Sequence, residues 1–404
     1  MFCAMTPFRV LYLDMNSFFA SVEQQVDPAL RDRPVAITAV DSDSGTCVAA
    51  SYEAKAYGVK TGTRVYDARR LCPDIIFRPS RHRLYVRYNL AVGDVLDRHA
   101  ELTHIRSVDE FQLALSGESQ TLAGADLLVR RLKAAVASEV GECLRFSAGV
   151  GPNFLLAKLA GKLQKPDGFQ WLAPENMPDA IAHLALDDLP GISGAMKARL
   201  FRARVYDVPT LYQLDPRHAR MIWRSVEGER FVRLLQGMDI PILPTQRGGY
   251  GNGKVLAPDF RDPVRAYHVG RWLVEKATAR LRRDGRVAAR FSLTVSFIAG
   301  GGWSRGVRCF ASQDTAFFLR LHRALWIRLW RGGRPGQVVS VHVQLGDVRL
   351  LDDRQGDLLA PLAPAERTRG ERVSVAVDQI NARFGDGVIH FGLNTPHPGF
   401  FERG

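Results

Sequence analysis

The sequence predicts an α+β protein built from several domains. Short apolar runs, some with the two-residue alternation typical of strands, lie between stretches with helical spacing along most of the chain. Residues 171–240 differ, because their pattern predicts a series of short helices. The chain has 404 residues, which is enough for about two to four domains with a sizeable core.

Composition excludes several classes of protein. With 46% hydrophobic and 24% charged residues, the chain has the balance of an ordinary soluble globular protein. It has no apolar run long enough to span a membrane, and residues 1–7 lack the pattern of a secretory signal. The five cysteines are scattered without metal-ligand spacing, as is typical of reduced thiols. We therefore expect a cytoplasmic protein.

Positive charge is concentrated in one segment of the chain. The formal net charge is +13, and residues 254–334 contain 17 Lys or Arg against 5 Asp or Glu. This concentration indicates a polyanionic partner, although a well-solvated basic surface would have the same composition. Because no amphipathic anchor accompanies the charge, nucleic acid is a better candidate than a membrane.

The first candidate site lies in the opening strand and helix. Val10 to Leu13 is an apolar run that predicts a buried strand, and Asp14 follows at its end. Asn16 and Ser17 then predict the start of a helix. A carboxylate in this position can hold a divalent cation beside a phosphate, but it can equally be a helix cap.

A second acidic site follows about a hundred residues later. Between the two acidic sites, strands are predicted at 34–40 and 46–51, and helices at 52–57, 66–71 and 80–100. After the second site come a predicted helix at 122–140, a strand at 146–151 and a helix at 153–163. Residues 102–115 predict a strand pair with Asp109 and Glu110 adjacent at its middle. Adjacent acids at a strand junction are costly unless a cation compensates them. Together with Asp14 they could hold two magnesium ions.

The second half of the chain contains two candidate nucleic-acid elements. Gly191 and Gly194 form a glycine turn that opens a helix with Lys197, and this arrangement resembles a helix-hairpin-helix, although an ordinary helix start is the alternative. In that motif, backbone N–H groups approach a DNA phosphate without reading sequence. After a predicted linker, residues 253–350 predict a compact α+β module. Its alternating strands carry the apolar residues Phe291, Leu293, Val295 and Phe297, and Val339, Val341, Val343 and Leu345.

Six segments together resemble the Y family of translesion DNA polymerases, of the bacterial kind. They are residues 14–23, 50–59, 107–110, 147–153, 165–168 and 189–194. The resemblance covers essentially the whole chain and implies a right-hand polymerase. Its parts would be a palm at 1–170 with small fingers inserted at about 30–82, a helical thumb with the helix-hairpin-helix at 171–240, a linker at 241–252, an α+β little finger at 253–350 and a C-terminal tail at 351–404.

The resemblance also implies the activity and the metal site. The protein would be a template-directed, error-prone DNA polymerase that adds deoxynucleotides from their triphosphates to a primer 3′ end and bypasses lesions in primer–template DNA. Asp14 and Asp109 would bridge two Mg²⁺ ions, and Glu110 would bind the catalytic one. The backbone carbonyl of Met15 would be a further ligand.

The resemblance assigns nucleotide contacts as well. The backbone amides that would hold the triphosphate are those of Asn16, Ser17, Phe18 and Phe19. The side chains on the β- and γ-phosphates would be Tyr52, Lys55 and Lys165, with Thr46 and Val48 over the nascent base pair. Phe19 would be a steric gate that excludes a 2′-hydroxyl, although its residue type alone favours a core aromatic.

The chain departs from the family pattern at a few positions. Asn16 stands where polymerase IV-like members carry Asp and polymerase V-like members carry Asn, which leaves the subclass open. Lys55 replaces a frequent Arg and loses its bidentate fork. In the tail, Gln355, Leu358 and Leu359 resemble the short peptide by which such polymerases bind the sliding clamp.

Two other functions are compatible with parts of the sequence. A catalytically silent DNA- and clamp-binding adaptor would share the fold, but it would not need the three carboxylates, Phe19 or Lys165. Another two-metal palm enzyme, such as a nucleotide cyclase, would have no use for the glycine hairpin or the basic module.

Overall fold

A computed structural model describes residues 7–39, 43, 45–241, 247–333, 336–354, 364–385 and 387–394, without the side chains of 364–367. The described residues fall into two compact units, a first unit before residue 242 and a second unit after residue 246. Both combine sheets with helices, which confirms the predicted α+β class. No helix in the described ranges is long and apolar enough to cross a membrane.

The first unit contains eight strands and ten α-helices among its described residues. The strands are β1 (Val10–Met15), β2 (Val35–Thr38), β3 (Cys47–Ala50), β4 (Ile76–Pro79), β5 (Leu102–Ile105), β6 (Glu110–Ala114), β7 (Phe146–Gly151) and β8 (Phe169–Trp171). The helices are α1 (Phe18–Val26), α2 (Tyr52–Ala56), α3 (Val65–Leu71), α4 (His82–His99), α5 (Leu122–Glu139), α6 (Phe154–Leu163), α7 (Gly194–Arg202), α8 (Val208–Tyr212), α9 (Pro216–Trp223) and α10 (Val226–Leu235).

The central sheet of the first unit has the strand order β5-β6-β1-β7-β8. β1 is antiparallel to both of its neighbours. Leu11 and Leu13 lie in the core with residues of α4 and α5. Because side chains alternate along a strand, Tyr12 and Asp14 point to the opposite face, where α6 packs. This alternation places the carboxylate on the face away from the main core.

Two smaller parts complete the first unit. β3, β2 and β4 form a three-stranded sheet, in which β2 is antiparallel to β3 and parallel to β4, with a small core of its own. Helices α7 to α10 share a core with Leu155, Leu156 and Leu159 of α6. The glycine turn before α7 contains Gly191 with a φ of 91°, a backbone conformation that strongly favours glycine.

The second unit is a four-stranded antiparallel sheet with helices packed on one face. Its elements are β9 (Gly249–Val255), α11 (Pro263–Arg283), β10 (Arg286–Phe297), β11 (Gly302–Ser312), α12 (Thr315–Arg331), β12 (Val338–Leu350) and α13 (Pro364–Phe384). The strand order is β11-β10-β12-β9, and Phe291, Leu293 and Val295 of β10 are buried under α11 and α12, as predicted.

Two details of the second unit differ from the sequence prediction. The predicted linker at 241–252 is too long, because β9 begins at Gly249 and pairs with β12. Its glycines disfavour a strand, so composition alone indicates a linker. In β12 an irregularity opposite Ser296 and Phe297 shifts the register. Val338 is therefore buried in place of the predicted Val339, which is only half-buried.

The C-terminal segment contains a helix that packs on the second unit. α13 is longer than the predicted helix at 373–384. The guanidinium of Arg282 on α11 donates to both carboxylate oxygens of Asp378 at 2.6 and 2.8 Å. The Thr315 N–H at the start of α12 donates to Ser374 Oγ at 3.0 Å. α13 is therefore tied to both α11 and α12, and this part of the predicted tail belongs to the unit.

The core of the second unit contains a histidine that makes its stability sensitive to acid. His322 is fully buried, and neither of its ring nitrogens has a hydrogen-bond partner among the described residues. Burial, with smaller effects of Arg271 and His268, lowers its pKa to about 3. Below its ordinary pKa of about 6.5, the unfolded chain binds a proton that the folded chain does not, so stability falls as the pH decreases toward 3.

We expect His322→Leu to remove this pH dependence. Between pH 7.5 and pH 5 the second unit of the wild type should lose about 2 kcal/mol of unfolding free energy more than the variant does. Urea denaturation at the two pH values measures the difference. Equal losses in the two proteins would show that His322 is already protonated in the folded state.

Candidate active site

The three predicted carboxylates come together at the end of β1. Asp14 and Glu110 are directly opposite partners in the β1–β6 pair. Asp109 precedes β6, and its carbonyl accepts the Met15 N–H at 2.9 Å. Register alone therefore brings the first acidic site beside the second, although about a hundred residues separate them in sequence.

Lysines and a serine are the partners of these carboxylates. Lys165 Nζ lies 2.5 Å from Asp14 Oδ1, and Lys158 Nζ lies 2.5 Å from Glu110 Oε1. Ser107 Oγ donates to Asp109 Oδ1 at 2.5 Å. In the part of the chain that the structure describes, no three acidic, His or Cys side chains converge closely enough to hold a metal ion as they stand. In this arrangement Asp14 and Glu110 are each paired with a lysine.

The two neighbouring acids of β6 differ in their electrostatic environment. Burial raises the pKa of Asp109, and the charges of Asp14 and Glu110 raise it further against the opposing hydrogen bond from Ser107. Burial would also raise the pKa of Glu110, but the hydrogen bond and charge of Lys158 outweigh it and lower that pKa. The surroundings of Asp109 thus disfavour its charged form, whereas those of Glu110 favour it.

The donor set and its charge fit a divalent cation. Carboxylate oxygens are the ligands that Mg²⁺ prefers in proteins, and three of them lie on neighbouring strands here. A cation beside Asp109 would relieve the repulsion that raises the pKa of its carboxyl. Asp14, Asp109 and Glu110 are accordingly the residues that could hold it, together with the carbonyl of Met15 that the family resemblance implies.

The start of α1 lies directly after Asp14 and presents backbone N–H groups. Ser17 adopts a left-handed conformation with a φ of 50°, and α1 begins at Phe18 without a side-chain cap. The first N–H groups of a helix have no acceptor within it, so those of Phe18 and Phe19 suit an anion. The Asn16 N–H differs from the prediction, because it donates to the Arg145 carbonyl at 2.8 Å. That N–H therefore already has a hydrogen-bond acceptor in the protein.

Two lysines and a tyrosine converge near the start of α1. Lys55 Nζ donates to Ser17 Oγ at 2.8 Å and lies 4.2 Å from the centre of the Tyr52 ring. The Lys55 side chain is largely exposed, yet crowding by protein atoms lowers its pKa and the charge of Lys165 lowers it further, against the opposing effect of Asp14. Lys55 and Lys165 are thus close enough to repel one another, and an anion between them would be favoured.

The predicted steric gate is packed against a second aromatic ring. Phe19 is half-buried and stacks on Tyr85 with ring centres 4.3 Å apart and an interplanar angle of 14°. The Tyr85 hydroxyl donates to Glu23 at 2.8 Å, and Arg81 also pairs with this carboxylate. Glu23 is only 1% exposed. The Phe19 ring therefore rests on a fixed support.

The remaining predicted contact residues lie on separate elements. Thr46 is exposed just before β3, and Val48 is half-buried at an irregularity within β3, where Cys47 and Ala49 pair with the adjacent residues Thr38 and Ile37. Gly191 has open space where a Cβ would stand, and Gly194 begins α7. The Lys197 Nζ, predicted to bind DNA, lies 2.7 Å from Asp187 Oδ1. The clamp residues Gln355, Leu358 and Leu359 lie outside the described residues.

The sequence prediction missed the groups that hold the site together. Lys158 on α6 contacts Glu110 and also donates to the Tyr12 hydroxyl at 3.0 Å. In sequence it lies with Lys162 on the predicted helix at 153–163, where two lysines indicate only a solvated helix face. Glu23 could have been noticed, because an acid within an apolar helical stretch indicates a buried charge with a partner.

Comparisons with known proteins agree with this site. The impB/mucB/samB family matches residues 13–162, and the C-terminal domain of that family matches residues 247–358. A DNA polymerase IV from Moorella thermoacetica is 32% identical over 98% of this chain and 98% of its own length. A solved chimera of Y-family DNA polymerases has a TM-score of 0.70 at 22% identity and covers 85% of this chain and 99% of its own. An insertion ternary complex of Dbh DNA polymerase has a TM-score of 0.55 at 22% identity, with the same coverage.

These matches span both described units and include all three carboxylates. The solved structures establish the fold, and the full-length relative establishes the family. The silent adaptor considered above is not favoured, because nothing in the site or in the relatives points to it. The chain therefore belongs to the impB/mucB/samB family and is a translesion DNA polymerase of the Y family.

Proposed function

We propose that Asp14, Asp109 and Glu110 carry out two-metal-ion nucleotidyl transfer from deoxynucleoside triphosphates to a primer 3′ end. The observation that supports this most is the β1–β6 register, which pairs Asp14 with Glu110 and places Asp109 beside them. Two Mg²⁺ ions held in such a site would make the primer 3′-hydroxyl more acidic and would stabilise the pyrophosphate leaving group.

The protein residues then orient the reactants. The ammonium of Lys158 holds the Glu110 carboxylate in place from α6. The N–H groups of Phe18 and Phe19 at the start of α1 receive the triphosphate, and Lys55 and Lys165 neutralise its β- and γ-phosphates. Lys165 exchanges its ion pair with Asp14 for the phosphate, and this leaves Asp14 available as a ligand. Entry of the nucleotide is thus linked to the availability of Asp14 as a metal ligand.

The sub-domain roles follow from these positions. We assign the five-stranded sheet with its carboxylates to the palm and the small β3-β2-β4 sheet to the fingers. Helices α7 to α10 are assigned to the thumb, with Gly191, Gly194 and Lys197 near DNA phosphates, and the second unit to the little finger. The clamp peptide at Gln355, Leu358 and Leu359 and a cytoplasmic location complete the proposal.

The exposed face of the second unit's sheet suits DNA phosphates. Arg290 of β10 and Arg308 of β11 are cross-strand partners, and both are exposed. The helices cover the other face, so these two side chains point away from the core. Arginine contacts to phosphate carry no sequence information, which suits an enzyme that accepts any template.

We expect the double variant Arg290→Ala with Arg308→Ala to bind primer–template DNA more weakly and with less salt dependence. The slope of log affinity against log salt should become smaller by about 2, because two phosphate contacts are lost. Fluorescence anisotropy across a salt series measures both quantities. Arg323→Ala, on the exposed side of α12, is the matched control and should leave the slope unchanged. An unchanged slope in the double variant would exclude this face from the DNA interface.

Primer extension tests the proposed function directly. With Mg²⁺ the protein should add the complementary deoxynucleotide opposite each template base, and EDTA should stop the reaction. The same assay on templates with a bulky lesion measures bypass. A folded, DNA-binding protein that incorporates nothing with Mg²⁺ or Mn²⁺ would contradict the proposal and favour the adaptor function.

A further inference from the structure

The Asn16 side chain links two parts of the nucleotide side of the site. It is only 4% exposed. Its Oδ1 accepts the Asp167 N–H at 2.8 Å, and its Nδ2 donates to Ser147 Oγ at 3.1 Å. One buried amide therefore joins β7 and the turn after α6.

The turn that Asn16 holds is the one that carries Lys165. Asp167 has a φ of 56°, a conformation that a residue other than glycine adopts at a cost and keeps only when its surroundings fix it. Lys133 of α5 supplies a second restraint, with its Nζ 2.9 Å from Asp167 Oδ1 and a further hydrogen bond to the Asp167 carbonyl. The turn is thus held from the inside by Asn16 and from the outside by Lys133.

We infer that Asn16 is a positioning residue whose side chain sets the Lys165 turn for the triphosphate. The inference rests on the phosphate role proposed for Lys165. The Asn16 N–H donates to Arg145, so the contribution of this residue comes through its side chain. Lysine has a long flexible side chain, and a fixed turn reduces the freedom that it loses when the nucleotide binds.

The hydrogen-bonding pattern predicts which substitutions are tolerated. Aspartate in place of Asn16 keeps the acceptor for the Asp167 N–H, and the hydroxyl of Ser147 can reverse direction and donate to it. Alanine removes the acceptor and leaves the Asp167 N–H without its buried partner. Asn16→Asp is therefore the conservative variant and Asn16→Ala the disruptive one.

Steady-state kinetics with a double-mutant cycle test this inference. We expect Asn16→Ala to raise KM for the nucleotide about tenfold, the size of one lost buried hydrogen bond, with a much smaller change in kcat. The KM of the Asn16→Asp variant for the nucleotide should stay within about threefold of the wild-type value. In a Lys165→Ala background, Asn16→Ala should raise the KM for the nucleotide by less than about twofold, because the side chain that Asn16 positions is gone.

A matched control separates positioning from general loss of stability. Gln24 is another buried amide on α1, with hydrogen bonds to Leu30 and Arg33 carbonyls and to Glu53. Gln24→Ala should leave the KM for the nucleotide within about twofold. If Asn16→Ala does not fold, Asn16→Ser carries the same expectations, because its shorter hydroxyl cannot reach both partners.

The outcomes distinguish this inference from the function on which it rests. If Lys165→Ala raises KM but Asn16→Ala does not, or if their effects are additive, the positioning role is wrong and the proposed function stands. If Lys165→Ala itself leaves KM unchanged, the phosphate role of Lys165 is wrong, and the inference fails with it.

Discussion

Asp109→Asn is expected to reduce kcat/KM for nucleotide incorporation at least about a thousandfold, which corresponds to about 4 kcal/mol of lost transition-state stabilisation. Asparagine has the same shape, but it lacks the charge that a bridging metal ligand requires. The substitution also removes a charge that burial disfavours and that Asp14 and Glu110 repel, so the unliganded variant should be no less stable than the wild type. Single-turnover incorporation and thermal unfolding measure the two effects.

A surface acid provides the control for this variant. Asp126 of α5 pairs with Arg130 one turn later on the same helix. Asp126→Asn changes the net charge by the same amount and should leave kcat/KM within about twofold. An Asp109→Asn protein with near wild-type activity would remove Asp109 from the metal site, whatever its effect on stability.

Phe19→Ala is expected to lower the preference for deoxyribonucleotides over ribonucleotides by about a hundredfold, near the upper range of what one steric contact supplies. The Phe19 ring stacks on Tyr85, which Glu23 holds in turn, so it cannot move aside for a 2′-hydroxyl. Alanine removes that wall. Deoxynucleotide incorporation should remain measurable, because the carboxylates are untouched. The ratio of kcat/KM values for the two sugars is the measurement.

The neighbouring aromatic residue is the matched control for sugar selection. Phe18 is buried in the core of the first unit. Phe18→Leu should lower the unfolding free energy by about 1 kcal/mol and leave the sugar preference unchanged. If Phe19→Ala shows no gain in ribonucleotide use, another side chain is the steric gate.

The sequence predicted the carboxylate cluster because strand patterns and acids are local signals. Val10 to Leu13 predicts a buried strand, and an acid at its end must lie at the end of a sheet. The partners of Asp14 and Glu110 are not local. Lys158 and Lys165 become partners only when α6 packs across β1, and nothing in their spacing distinguishes them from surface lysines.

The sequence prediction failed where backbone geometry overrides composition. β9 contains three glycines, and its first four residues fall in the predicted linker, yet its edge position against β12 lets the backbone pair without large side chains. A shift of register moved the buried position from Val339 to Val338, which period-two counting cannot detect. At Asn16 the prediction concerns the backbone, whereas the structure shows a buried side chain with two partners.

The most direct measurement of the central claim counts bound metal ions. With a dideoxy-terminated primer–template and the complementary nucleotide, Mn²⁺ binding followed by electron paramagnetic resonance should give two ions per chain in the wild type. The Asp14→Ala variant, measured in the same complex, should hold at most one. Two ions in that variant, or fewer than two in the wild type, would contradict a two-metal site at these carboxylates.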